Sequence, residues 1–432
     1  MALGDRDGTP TAPLNSKTTG VVSSDLEAAV EGQGLQQFFQ PIVALPNGQL
    51  VGFEALARWP KLGELTPESV LAYAASTDRG PQLERLCIEA AIESARNARL
   101  PAGSMVFVNS EAATPHFGRA RDPMLARGAE SFRLVFELTE RSLLEDPPAL
   151  LKKVAALRAD GFAIALDDVG AQQESLALLD VLSPEVIKLD LALVQSQSRY
   201  QQARTWAAVL AHHESAGAVV LAEGIETAEH LQRALALGAS LGQGFMFGHP
   251  RPLTPRAHGG IENLAAFRRE HPSFAAGSPF DAVVGTVSTR VERKDTVLAL
   301  SRYFEQQAAD AIDPPMVLTA LQRAEFFSGE TRQRYHDLAG TSPLVVVFGH
   351  DVAVDLGSGV RGVPCGANDP LNSQWIVLTL GANTASALIS RELDTDGQGG
   401  CPDGDRLFEV AITNDRALVT AAARSLLGRM SL

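Results

Sequence analysis

The sequence predicts an α/β fold: a TIM-like (β/α)₈ barrel followed by a smaller α/β domain. Three observations predict it. Short apolar runs alternate with helical patterns from about Gln36 to Pro252. Eight such runs fall within about 220 residues, the number and length a (β/α)₈ barrel requires. No GxGxxG follows any of the runs, which removes the cue for the competing dinucleotide-binding sheet.

The eight runs are "QFFQPIVAL", "LVGFEALAR", "MVFVNS", "RLVFELTE", "FAIALDD", "VIKLD", "AVVLAEGIE" and "LGQGFMFG". Each is short and rich in β-branched or aromatic residues, as buried parallel strands are. Helices between them carry their own punctuation. Thr66 caps a helix that has Pro67 at its first position. Asp146 opens "PPALLKKVAALRAD", and Gly161 stands where that helix stops. "SRYQQARTWAAVLAHHESAG" ends at Gly217, and Thr227 opens a helix ended by Gly238. Before the barrel, residues 1–25 are rich in Gly, Thr, Pro and Ser and read as a disordered tail. The barrel is assigned to 26–255 and a Pro- and Gly-containing linker to 256–278. From 279 to 432 come a helical pattern ("DTVLALSRYFEQQAAD"), the strands "MVLTALQ", "LVVVF", "WIVLTLG" and "LFEVAI", and a final helix.

Bulk properties narrow the function. Of 432 residues, 45% are hydrophobic and 20% charged, an ordinary globular balance. A net charge of −14 argues against binding polymeric nucleic acid or anionic membranes non-specifically. Cys87, Cys365 and Cys401 are far apart and form no CxxC pair, so neither a disulfide framework nor a zinc site is expected. The first twenty residues lack an apolar signal core and no long apolar run follows, so the expectation is a cytoplasmic protein without membrane insertion.

The polar residues at the strand ends carry the chemistry. Glu54 follows "LVGF", Asn109 follows "MVFV" and Glu137 follows "RLVF". Asp167 and Asp168 follow "FAIAL", Lys188 follows "VI", Glu223 follows "VVLA" and Gln243 sits in "LGQGF". In a (β/α)₈ barrel these ends surround one mouth, where active sites are built. Five of the eight are carboxylates, which repel one another unless a cation joins them. All-oxygen donors without histidine suit Mg²⁺ or Mn²⁺ better than zinc. An Asp doublet can divide two metals about 4 Å apart, as in phosphodiester hydrolysis. Lys188 can orient water or stabilise developing charge, and Arg58 can hold a phosphate. Taken singly, each acid reads as a helix cap or a solvated loop residue. Agreement across seven strands favours a site.

These residues closely resemble the EAL-domain family of cyclic di-GMP phosphodiesterases. The triplet Glu54-Ala55-Leu56 stands in "FQPIVALPNGQLVGFEALARWP", and "VNSE", "ELTE", "DD", "IKLD", "AEGIET" and "GQGF" follow in the family's order. The resemblance covers about residues 26–252. It implies a TIM-like barrel with one reversed strand, a homodimer, and hydrolysis of cyclic di-GMP to linear pGpG. It also implies two Mg²⁺ or Mn²⁺ ions per site. Glu54, Asn109, Glu137 and Asp167 resemble ligands of the first ion, and Asp167 and Asp168 those of the second. Lys188 resembles the lysine that contacts the catalytic water, and Glu223 an essential glutamate that serves as ligand or general base. Glu226 and Gln243 resemble supporting residues, Gln40 and Arg58 dinucleotide contacts. Glu140 resembles the glutamate that braces the loop after the doublet. That loop departs from the family: "FGTGYSSL" is replaced by "VGAQQESL". In the family it couples the metal site to the dimer interface, so the departure bears on rate and regulation.

The C-terminal block resembles the DICT sensory domain through "PFDAVVGTVSTRVERKDTVLALSRYFE" and its strand layout. An unidentified small-molecule or protein signal is expected there. Cys365 and Cys401 read as incidental thiols, and His350 and Asp351 as a turn. The leading expectation is a cyclic di-GMP phosphodiesterase regulated by this domain. The alternatives are a catalytically weak or inactive cyclic di-GMP receptor and a dimerisation scaffold.

Overall fold

The computed structural model describes residues 24–62, 65–139, 146–170, 176, 179–195, 200–255, 277–393 and 405–430. The first eight strands close into a barrel in sequence order. They are β1 (Gln36–Ala44), β2 (Leu50–Arg58), β3 (Met105–Asn109), β4 (Arg133–Thr139), β5 (Ala163–Val169), β6 (Val186–Leu189), β7 (Val219–Ala222) and β8 (Leu241–Gln243). β1 runs antiparallel to both neighbours, β2 and β8. The other neighbouring pairs are parallel.

Alternating side chains divide each strand between two cores. Ile42, Val51, Met105, Phe107, Val135, Val186 and Leu221 fill the barrel interior. Val106, Val108, Leu134 and Phe136 face the helical layer outside. β2 and β3 approach so closely that a Cβ on Gly52 would lie 2.3 Å from Met105 O. The helix signals act as expected. Thr66 accepts from Ser69 N, Asp146 from Ala149 N and Thr227 from His230 N. Gly161, Gly217 and Gly238 all have positive φ.

A seven-stranded sheet forms the second part, in the order β12-β11-β10-β13-β14-β15-β9. Its strands are β9 (Arg290–Arg293), β10 (Met316–Arg323), β11 (Val345–His350), β12 (Val360–Cys365), β13 (Gln374–Leu380), β14 (Ala385–Glu392) and β15 (Leu407–Thr413). β10, β11 and β12 are parallel, and the remaining pairs are antiparallel. On β13, Val377 packs with Val297 and Phe304 of the helix Lys294–Ala309. Its neighbours Ile376 and Leu378 join Val419 and Leu426 of the C-terminal helix Arg416–Leu427. The two helices therefore cover opposite faces.

Three of these strands have no counterpart in the sequence reading. β9 and β12 are the edge strands, where an apolar run is not needed. β12 even carries Pro364, tolerated because an edge has an unpaired side. β14, "ASALISRE", hides a buried stretch among small and polar residues.

The C-terminal helix also docks on the barrel. Arg424 donates to Asp180 O (2.6 Å), Val181 O (2.8 Å) and Ser183 Oγ (3.0 Å). These groups belong to the short helix Leu179–Leu182 and the residue after it, where backbone carbonyls lack helical partners. Arg416 pairs with the Asp180 carboxylate, which also meets His212 Nδ1 at 2.7 Å. Among the described residues, no helix is long and apolar enough to cross a membrane.

Candidate active site

Lys188 is the centre of the barrel mouth. It sits on β6, is 0% exposed, and its Nζ lies 2.7 Å from Glu137, 2.9 Å from Asp167 and 2.8 Å from Glu223. Glu54 is farther, at 3.9 Å. Four strands, β2, β4, β5 and β7, thus aim a carboxylate at one ammonium from β6. Burial opposes the lysine's charge, but Asp167, Glu137 and Glu223 outweigh it and hold its pKa well above the ordinary range.

The carboxylates are under electrostatic pressure. Burial, then Glu54, push Glu137 well above the usual glutamate range, although Lys188 pulls the other way. Glu223 is pushed up to about 8, chiefly by burial. Burial and the adjacent Asp167 charge raise Asp168. Asp190, from "IKLD", adds to that charge, a contribution the motif did not announce. Asp168 also holds a left-handed backbone, φ +56°, a conformation that costs most side chains about 1–2 kcal/mol but Asp less. Its N–H donates to Asp167 Oδ1 at 3.0 Å, which fixes the doublet's geometry.

The set fits divalent cations. Asp167, Asp168 and Glu223 can each offer one oxygen, all within 4.8 Å of one another. Both Glu137 oxygens are buried without a hydrogen bond of acceptable geometry among the described residues. The 2.7 Å approach of Lys188 to Glu137 is an ion pair by distance alone. A buried carboxylate in that state is suited to a metal ion. Five acids around one lysine leave a negative excess that only added cations or protons can relieve.

The remaining predicted residues fall as follows. Gln243 donates to Glu54 Oε2 (2.5 Å) and Gln40 Oε1 (3.0 Å), and Gln40 donates to Gly248 O (3.4 Å). This amide chain orients Glu54 from the β1–β8 side. Asn109 ends β3 beside Glu137 in register, exposed at the rim. Arg58 ends β2 and donates to Ala57 O (2.8 Å). A cleft of about 560 Å³ opens here, lined by Glu54, Arg58, Asn109, Trp59 and Leu71 among others. That volume suits a small organic ligand. Leu71, 42% exposed, gives the cleft an apolar wall that no motif signalled. Glu226 is exposed on the loop after β7, without a hydrogen bond or ion pair to the cluster among the described residues. Glu140 and most of the "VGAQQESL" loop, from Ala171 to Ser175, lie outside the described residues.

Comparisons with known proteins place both parts of the chain in known families. Residues 282–393 match the family model DICT, described as a sensory domain in diguanylate cyclases and two-component systems. Over 240 residues the chain is 31% identical to the bifunctional diguanylate cyclase/cyclic di-GMP phosphodiesterase MucR of Pseudomonas aeruginosa. That match covers 53% of this chain and 35% of MucR. Over 239 residues it is 29% identical to the cyclic di-GMP phosphodiesterase RocR of the same organism, covering 53% of this chain and 60% of RocR. The chain thus spans about a third to three-fifths of the length of these curated relatives. Among solved structures, a manganese/cyclic di-GMP complex of Klebsiella pneumoniae BlrP1 is 29% identical, with a TM-score of 0.44. It covers 51% of this chain and 57% of BlrP1. The EAL domain model matches residues 23–250, over half of the 432 residues, and the chain therefore belongs to the EAL-domain family.

Proposed function

We propose that the barrel, residues 26–255, is a cyclic di-GMP phosphodiesterase that yields linear pGpG, and that residues 279–432 regulate it. The observation that carries this reading is the convergence of Glu54, Glu137, Asp167 and Glu223 on buried Lys188. Glu54, Asn109, Glu137, Asp167, Asp168 and Glu223 would hold a pair of Mg²⁺ or Mn²⁺ ions. When bound, such ions supply Lewis acidity, making water more acidic and offsetting charge on the phosphate. Lys188 keeps the acids gathered and presents a fixed positive charge beside the reacting phosphate. Glu223, 2.8 Å from Lys188 and with an oxygen within 4.8 Å of those of Asp167 and Asp168, is the group placed to take a proton from attacking water. Gln243 and Gln40 set the Glu54 rotamer, and Arg58 and Leu71 border the cleft for phosphate and base. Glu226 and Glu140 keep supporting roles in this reading, at the site's edge and at the loop after the doublet.

Control is proposed to run through the short helix Leu179–Leu182. It follows the loop that leaves the Asp167-Asp168 doublet, and Arg416 and Arg424 grip it from the C-terminal domain. The chain is also proposed to act as a cytoplasmic homodimer. Purified protein with Mg²⁺ or Mn²⁺ should convert cyclic di-GMP to pGpG, and Glu54→Ala and Asp167→Ala should abolish turnover. A folded protein without turnover in either metal would refute the enzymatic reading. A receptor is the second reading, favoured by the departure of "VGAQQESL" from the family's loop. Tight, metal-independent binding of intact cyclic di-GMP would establish it.

A further inference from the structure

A five-residue helix connects two groups of acids in the barrel mouth. The helix Leu191–Gln195 begins two residues after β6, the strand that carries Lys188. Asp190 starts it. Asp190 Oδ1 accepts from Ala192 N (2.8 Å), and Asp190 N donates to Val169 O (3.1 Å) at the end of β5. Two turns pack against this helix. One contains Gly170, two residues after Asp168, and the other contains Gly224, the residue after Glu223.

Both approaches are close. A Cβ on Gly170, at φ +103°, would lie 2.3 Å from Leu193 Cδ1. A Cβ on Gly224, at φ +66°, would lie 2.6 Å from Leu191 Cδ1 and 3.1 Å from Gln195 Nε2. Leu191 and Gln195 are four apart, so they share one face of the helix. Neither turn has room for a methyl group unless a leucine moves. The helix is therefore a spacer between the turn that follows the Asp167-Asp168 doublet and the turn that follows Glu223.

A side-chain hydrogen bond fixes the Gly224 side of the spacer. Gln195 Nε2 donates to Gly224 O at 2.8 Å. Gln195 is itself anchored. Arg233, from the helix Ala228–Ala236, donates to Gln195 O (2.7 Å) and Val194 O (3.4 Å). Those carbonyls end a helix and lack helical partners. Backbone bonds hold the neighbouring peptides: Glu223 N donates to Leu189 O (3.3 Å), and Ile225 N to Gln243 O (3.0 Å). Gln195 thus ties the peptide after Glu223 to the helix that also abuts the doublet's turn. Asp167, Asp168 and Glu223, whose oxygens lie within 4.8 Å of one another, are the acids on its two sides.

We propose that Gln195 is a positioning residue for the metal-binding acids. By holding Gly224 O it fixes how far Glu223 stands from Asp167 and Asp168, and so the width of the oxygen cage between them. It acts through Glu223 and touches neither metal nor substrate. The inference rests on the metal site proposed above and names what sets the spacing of its ligands. Partners behind a ligand commonly govern metal affinity in this way.

Mn²⁺ titration calorimetry of the full, EDTA-stripped chain tests it, with kcat and KM for cyclic di-GMP measured alongside. Gln195→Met keeps the length and deletes the donor. It should weaken Mn²⁺ about fivefold, the worth of one neutral hydrogen bond. It should lower kcat while KM stays within about twofold. Its thermal midpoint in EDTA should stay within about 4 °C of the parent. Gln195→His carries Nε2–H to the reach of the lost amide and is uncharged at about pH 8. It should restore Mn²⁺ affinity to within about twofold of the parent. Parental Mn²⁺ affinity in Gln195→Met overturns the proposal, as does an equal loss in both variants. A parent that takes up no Mn²⁺ overturns it together with the metal site. A parent that binds Mn²⁺ but leaves cyclic di-GMP intact refutes the phosphodiesterase reading alone, and the Mn²⁺ affinities still decide the role of Gln195.

Discussion

Replacing Lys188 with methionine tests the electrostatic account of the mouth directly. Methionine is similar in length and flexible, so the change removes charge more than volume. Lys188 is fully buried, with three carboxylates between 2.7 and 2.9 Å from its ammonium. Deleting one partner of a buried ion pair costs about 3–5 kcal/mol, because the other charge stays buried. Glu137, 1% exposed, cannot turn to water, so without Lys188 it escapes the penalty only by taking up a proton. Taking about 4 kcal/mol, and about 2–4 °C per kcal/mol for a domain of this size, the barrel's midpoint should fall by about 8–16 °C in EDTA. Mn²⁺ should close much of that gap, since cations at the same oxygens replace the lost charge. An ion at about 100 times its Kd adds about 2.7 kcal/mol. Scanning calorimetry of parent and variant, each in EDTA and in Mn²⁺, reads both quantities. A variant within about 0.5 kcal/mol of the parent in EDTA would show that the lysine does not hold the acids together. Midpoints that Mn²⁺ leaves unmoved in both proteins would show that the acids do not form a metal site.

Three further outcomes are expected. Arg424→Met strips donors from Asp180 O and Val181 O, and each orphaned acceptor costs about 1–3 kcal/mol. Faster amide exchange at Leu179–Leu182 and an altered turnover rate should follow, and unchanged turnover would disconnect the docking helix from catalysis. Gly244→Ala places a Cβ 2.2 Å from Ile225 O on a backbone at φ +154°, so urea unfolding should show a loss of about 2–4 kcal/mol. A neutral result there would mean that the segment after β8 shifts freely. Burial raises Asp180, but the His212 hydrogen bond and the Arg416 charge outweigh it and hold the carboxyl below its ordinary value. Its contribution to docking is therefore complete above about pH 4 and disappears as pH falls through the lowered value. Proteolysis between the domains should stay constant from about pH 5 to 8 and rise only in stronger acid, and loosening near neutrality would assign docking to another group.

The barrel was legible because its strands are buried on both faces. "FAIALDD" and "VIKLD" are nearly continuous apolar runs whose polar tips can only be strand ends. The candidate site was legible for the same reason, since Glu54, Glu137, Asp167, Lys188 and Glu223 interrupt those runs at equivalent heights. β9 and β12 were illegible because edge strands need no apolar run, and β14 because Ala and Ser are weak β signals. The grip of Arg424 on Val181 joins residues 243 apart, and nothing local to either marks it.

The reversal of β1 has a topological consequence. In a fully parallel barrel the chain comes in at the bottom and leaves at the top. Here Gln36 pairs with Arg58 at the upper end of β2, and Ile42 with Gln243 at the end of β8. Both the incoming and the outgoing chain therefore lie on the rim that carries the acids, while the turn at 45–49 sits at the opposite pole. Any module fused before β1 or after β8 begins its path beside the acids, so accessory domains can be exchanged at either end without rebuilding the barrel. The same geometry makes the barrel a good subject for circular permutation: a short bridge across the rim and new termini in the polar turn at Asn47 and Gly48 would leave all eight strands intact.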